Sequence, residues 1–245
     1  MDPTLVVLLY SSLSAGTAVL GVGPFLFGRR LPIERIGWAN ALAAGMMLGA
    51  AYVLLVAGLP LPTQVPAIAA GTLLGIGFVW WTHAAAGTEE LSLNRLDDPG
   101  PTYGYQVLLA NSLHSASEGV AIGAAMALSL PFGIFVALAI AVHNIPEATV
   151  LCAILTGRRV SVSNAAGLAV AANVSQILLA IVTFAIVGAA PSLLPWALGF
   201  AVGALIQLVM AELLPESYRQ AGHRTIALVA IVAMGIVVLL GTFAP

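Results

Sequence analysis

Apolar residues run through this chain in blocks long enough to cross a hydrocarbon layer about 30 Å thick, and charged residues sit mostly between the blocks. Proline, glycine and charge clusters cut it into eight such segments, at about 4 to 27, 36 to 58, 64 to 84, 103 to 128, 132 to 156, 163 to 189, 193 to 213 and 225 to 243. Backbone N–H and C=O groups find no water in that layer, so each segment is predicted to be an α-helix. The expected fold is an all-α membrane protein of eight transmembrane helices, one domain spanning 1 to 245. The connectors alternate in character. Arg29, Arg30 and Arg35 follow the first segment, Arg95 the third, Arg158 and Arg159 the fifth, and Arg219 and Arg224 the seventh. The even segments are followed by the uncharged turns Leu59-Pro60-Leu61-Pro62, Leu130-Pro131-Phe132 and Pro191-Ser192-Leu193-Leu194-Pro195. With every arginine on one side and no lysine anywhere, the positive-inside rule makes that side cytoplasmic and sends both termini outward.

Composition sharpens this picture. Hydrophobic residues make up 60% of the chain and charged residues 7%, against about a quarter charged in a soluble domain, so an ordinary soluble fold is excluded. A net charge of −2 speaks against a nucleic-acid partner, and a single cysteine, Cys152, excludes an internal disulfide. Met1-Asp2-Pro3-Thr4 lacks a basic leader, so the first segment reads as a retained helix. Gly45-x-x-x-Gly49, Gly71-x-x-x-Gly75 and Gly199-x-x-x-Gly203 have the spacing that lets membrane helices approach closely. Asn173-Val174-Ser175 matches a glycosylation sequon but falls inside the sixth segment, where it is expected to be inaccessible.

The candidate chemistry lies in the fourth and fifth segments, where His114 precedes Glu118 and His143 precedes Glu147, each by four residues. On a helix this spacing puts both groups on one face, roughly 6 Å apart along the axis. The two segments are joined by a short connector and should pack antiparallel, which sets His114 level with Glu147 and Glu118 level with His143. Ionisable groups in a membrane span are costly and by default functional. Two glutamates and two neutral imidazoles carry −2, the charge that a divalent cation neutralises; Zn²⁺ suits the mixed nitrogen and oxygen donors, and Fe²⁺, Mn²⁺ and Cd²⁺ are acceptable. Pro146 has no N–H for the carbonyl of Val142, so the fifth helix is predicted to kink or open beside His143. The rival reading from another class is an intramembrane zinc hydrolase with glutamate as general base. No H-E-x-x-H occurs, and the glutamates do not adjoin the histidines in the order that chemistry needs.

His114-Ser115-Ala116-Ser117-Glu118-Gly119 and His143-Asn144-Ile145-Pro146-Glu147-Ala148 resemble the paired boxes of the ZIP (Zrt/Irt-like) divalent-metal transporters, especially their compact prokaryotic members. Those boxes read H-N-x-x-[DE]-G and H-N-x-P-E-G, and here Ser115 and Ala148 depart from them. The resemblance implies a 3+2+3 arrangement of helices and inward transport of zinc by an elevator-like movement, with no cofactor, in a bacterial inner membrane. It leaves room for a homodimer. It also implies that Met47 offers a thioether to the metal, and that a second metal position would fall at Ser115, Asn144 and Gln176, all uncharged here. Glu212 and Glu216 resemble an exit-side carboxylate region, and the third connector, with His83, Glu89, Glu90, Asp97 and Asp98, is a further place to receive the ion.

Overall fold

The computed structural model describes residues 2–27, 31–59, 64–86 and 101–243, with the side chains of 86, 101–105 and 107 excepted. Arg29, Arg30, Pro60, Leu61, Pro62, Glu89, Glu90, Arg95, Asp97 and Asp98 lie outside the described residues. The described chain folds into ten α-helices: α1 (Pro3–Gly16), α2 (Ile33–Gly58), α3 (Val65–Ala86), α4 (Pro101–Leu128), α5 (Leu130–Gly157), α6 (Val162–Ala172), α7 (Val174–Ala189), α8 (Leu194–Leu208), α9 (Leu214–Ala221) and α10 (His223–Gly241). A tighter 3-10 stretch, Thr17–Phe25, extends α1, and a π-helical turn, Val209–Leu213, joins α8 to α9.

Among the described residues, seven stretches are long and apolar enough to cross a membrane: Pro3–Phe25, Ile33–Gly58, Val65–Ala85, Leu130–Gly157, Val162–Ala189, Pro191–Ala221 and His223–Gly241. The fourth predicted span, α4, is 28 residues long but falls outside those seven; its middle carries Asn111, Ser112, His114, Ser115, Ser117 and Glu118.

Helix ends follow local chemistry. Asp2 caps α1 by accepting from the Thr4 N–H at 2.7 Å, with Pro3 in the first turn, where a missing N–H costs nothing. Gly222, at φ 79°, separates α9 from α10 in a conformation that disfavours other residues. Two features differ from expectation. Helix α5 stays helical through Pro146 and does not open there; Val142, whose carbonyl loses its partner, is 56% exposed on the outer face, and the neighbouring Ala141 carbonyl accepts from Thr17 Oγ1 at 2.6 Å. The sixth segment breaks instead, at Asn173, between α6 and α7.

Small residues decide which helices touch. A Cβ on Gly71 or Gly75 of α3 would strike the Trp196 or Phe200 carbonyl of α8, and one on Gly199 or Gly203 of α8 would strike the Ile68 or Thr72 carbonyl of α3. Gly45 meets the Ala230 carbonyl of α10 in the same way. Gly119-x-x-x-Gly123, a spacing passed over in the sequence, packs against the Gln176 and Ala180 carbonyls of α7. The helices therefore associate as the close pairs α3 with α8, α2 with α10 and α4 with α7, while α1 and its extension lie along α5. Between these pairs, α2, α4, α5 and α8 share an apolar core that includes Leu54, Ile122, Val136, Val202 and Leu205. The polar cluster described next is buried beside it.

Candidate metal centre

Helices α4 and α5 are separated by Ser129 alone, so they run antiparallel, and the two His–Glu faces meet. His114, Glu118, His143 and Glu147 are all buried, and one ligand atom from each lies within 4.8 Å of the others. His143 Nε2 stands 2.9 Å from Glu118 Oε1 and 3.2 Å from Glu147 Oε2. A tetrahedral zinc centre with donors at about 2.1 Å sets those donors about 3.4 Å apart, so His143 Nε2 already stands near that spacing from both carboxylates, and the whole set needs at most about 1.4 Å of closing.

The orientation of each histidine comes from α2. His143 Nδ1 lies 3.1 Å from the Ala43 carbonyl, which can only accept; Nδ1 therefore carries the proton, and Nε2 turns to the carboxylates. His114 Nε2 lies 3.3 Å from Met47 Sδ, so the helix-two thioether stands beside the cluster. Both Glu118 oxygens, Glu147 Oε2 and His143 Nε2 are buried without a hydrogen bond of good geometry. Natural interiors rarely leave such groups unsatisfied, and carboxylates least of all. The donor set thus fits a dication, both in charge and in its unspent lone pairs. A cavity lined by Met46, Met47, Ala50, Ala139 and Ile140 adjoins Glu118 and His143.

The remaining sequence candidates separate into three groups. Asn144 and Gln176 join in one network with Ser14 of α1: Asn144 Nδ2 donates to the Ser14 carbonyl at 2.9 Å and to Gln176 Oε1 at 3.1 Å, and Gln176 Nε2 donates to Ser14 Oγ at 2.7 Å. Ser115 is spent elsewhere, donating to Asn173 Oδ1 at 2.9 Å, while Asn173 Nδ2 donates to the Ala169 carbonyl and so stitches the α6–α7 break to α4. Asn173 is buried within the bundle. Glu212 and Glu216 lie apart, around the π-helical turn. Glu212 Oε1 pairs with His83 Nε2 at 2.8 Å, and Glu216 pairs with Arg219 and accepts from Gln220 Nε2 at 2.7 Å. His83 belongs to this group as a residue of α3, not of the connector, because α3 continues to Ala86.

Ser14, Asn173 and the Ala43 carbonyl were missed by sequence reasoning. Ser14 had a signal, since Ser11, Ser12, Ser14 and Thr17 put four hydroxyls in one apolar segment. The Ala43 carbonyl had none, because every residue carries one.

Apolar helices of membrane-spanning length, closing on a buried cluster of histidines and glutamates that could hold a metal ion, define a class of integral, multi-pass membrane proteins with a candidate dication site. The sequence profile of the ZIP zinc transporter family matches residues 82–242. A candidate zinc transporter of Arabidopsis thaliana is 32% identical over 93% of this chain, which spans 37% of that protein's length. Zinc transporter GufA of Myxococcus xanthus is 32% identical over 86% of this chain and 88% of its own length. The chain belongs to the ZIP zinc transporter family.

Proposed function

We propose that the protein carries a divalent metal, zinc foremost, into the cytoplasm through a single site formed by His114, Glu118, His143 and Glu147. The carrying observation is the convergence of these four buried groups within 4.8 Å, with both Glu118 oxygens, Glu147 Oε2 and His143 Nε2 lacking a hydrogen bond of good geometry. Met47 adds a soft donor at the same depth, which extends the range of ions to Cd²⁺ alongside Fe²⁺ and Mn²⁺. Ser115, Asn144 and Gln176 bring no charge, so a second dication would share the same two carboxylates at a large electrostatic cost. One ion per transport cycle follows. The zinc transporters named among the relatives support zinc as the cargo.

The chain would cross the membrane eight times, α4 included, with the arginine-bearing connectors inside and both termini outside. Movement is elevator-like. The glycine-locked pairs α3–α8 and α2–α10 are the natural scaffold, and α4 and α5, which carry the four ligands, move together with α1 and α7 packed against them. Glu212 and Glu216 then lie on the cytoplasmic way out. A bacterial inner membrane and a homodimer are compatible with this design.

The test is initial uptake by purified protein in liposomes, with Zn²⁺, Cd²⁺, Fe²⁺ and Mn²⁺ offered in turn. Glu147→Gln removes one of two compensating charges and should abolish uptake, whereas Gln176→Ala, removing a neutral group, should retain part of it. Wild-type uptake by Glu147→Gln together with a dead Gln176→Ala would move the ion to α7 and overturn the proposal.

A further inference from the structure

We propose that Ser14, on the first helix, is a positioning residue for the metal centre: acting with Gln176, it holds the side-chain amide of Asn144 so that the carbonyl oxygen is left free to bind the transported dication. The inference rests on the His114, Glu118, His143 and Glu147 reading and assigns a role to a helix that contributes none of those four.

Donor and acceptor chemistry fixes the orientation. Asn144 Nδ2 has two hydrogens, given to the Ser14 main-chain carbonyl at 2.9 Å and to Gln176 Oε1 at 3.1 Å. A main-chain carbonyl cannot donate, so a flipped Asn144 would set oxygen against oxygen. Gln176 is held from its far end, where its Nε2 donates to Ser14 Oγ at 2.7 Å; that bond turns Oε1 toward Asn144. Ser14 thus grips the network twice, by backbone and by hydroxyl. All three residues are fully buried.

One atom of the network remains unspent. Asn144 Oδ1 is buried with no hydrogen-bond partner, and its branch of the amide is turned away from α1 and α7. Asn144 directly follows His143 and stands three residues before Glu147. An unpaired amide oxygen in an apolar interior is costly unless something binds it, and a dication beside it is the natural partner. Being neutral, this oxygen adds a donor without a third negative charge, so the two glutamates still balance the ion. Fixing a ligand through an outer hydrogen bond commonly changes metal affinity by about 10–100-fold.

The experiment measures zinc affinity of the full-length protein in detergent, by competition with a fluorescent chelator, and the visible absorption spectrum of bound Co²⁺, which reports the ligand set. Ser14→Ala should bind zinc about 10-fold more weakly and alter the Co²⁺ spectrum, while Ser14→Thr, which keeps the hydroxyl, stays near wild type. Asn144→Ala should show the same loss, and adding Ser14→Ala to it should cost nothing more, because both act through one oxygen. Ser14→Cys, similar in size with a weak acceptor, replaces Ser14→Ala if that variant does not purify as a single species. Wild-type affinity and spectrum in Ser14→Ala, or in Ser14→Cys where it replaces that variant, or losses that simply add with Asn144→Ala, would overturn the inference. Failure of the underlying reading looks different: wild-type protein would bind no zinc, or Glu118→Gln would bind it as tightly as wild type.

Discussion

Two clusters of histidine and glutamate in this molecule use the same side chains to different ends. At the buried cluster, His143 lies against Glu118 and Glu147, and among the described residues the basic groups beside these carboxylates are the imidazoles of His114 and His143. Around the π-helical turn, His83 pairs with Glu212, while Glu216 is held by Arg219 and Gln220, and Gln220 in turn lies 3.5 Å from Asn40. Glu118 is fully buried, whereas the Glu212 side chain is 33% exposed and that of Arg219 is 55% exposed. A dication arriving at the first cluster would meet two buried carboxylates faced by imidazoles, which carry charge only when protonated. At the second it must displace ion pairs that the chain already makes, in contact with water that screens the attraction. Residue type alone therefore does not separate the two clusters; burial and charge excess do.

The comparison can be broken most sharply at Glu118. Glu118→Gln keeps the volume but halves the compensating charge, and it should weaken zinc binding by more than the roughly 10–100-fold that outer-shell changes cost, read by chelator competition. Next is Met47→Ala, which should weaken Cd²⁺ more than Zn²⁺, since the thioether is the soft donor; a competition uptake ratio measures it, and an unchanged ratio would remove Met47 from the ligand set. Glu212→Gln should leave zinc affinity unaltered and slow uptake by roughly 5-fold at most, the scale of a partly exposed pair worth about 1 kcal/mol. The smallest effect belongs to Arg219→Ala: no change in zinc affinity, and less than about 1 kcal/mol of stability by thermal unfolding. A larger loss of binding at Glu212 than at Glu118 would invert the assignment of the two clusters.

The helical fold was legible because membrane spans need only length and apolarity, and the segments at Ile33–Gly58 and Leu130–Gly157 lie within a few residues of expectation. The meeting of His114, Glu118, His143 and Glu147 was legible because a four-residue spacing and a short connector leave α4 and α5 little choice of register. Breaks were harder to read. Pro146 does not open helix α5, which stays helical there; Asn173, which looked like an idle sequon, interrupts the sixth segment because its side chain bonds the Ala169 carbonyl and Ser115. Contacts made by backbone carbonyls, such as Ala43 with His143 and Ser14 with Asn144, leave no mark on residue identity and needed coordinates. The α3–α8 contact was written in glycine spacing, but the sequence could not say which glycines face which helix.

The central claim is that one dication sits between α4 and α5 on the twin His–Glu faces. Anomalous scattering at the zinc edge, from crystals of the full-length protein grown with zinc, tests it directly. One strong peak is expected within bonding distance, about 2.0–2.2 Å, of His114, Glu118, His143 and Glu147, and none of comparable height beside Glu212. Two equal peaks a few ångströms apart among these residues, or a single peak at His83 and Glu212 with the buried cluster empty, would contradict it.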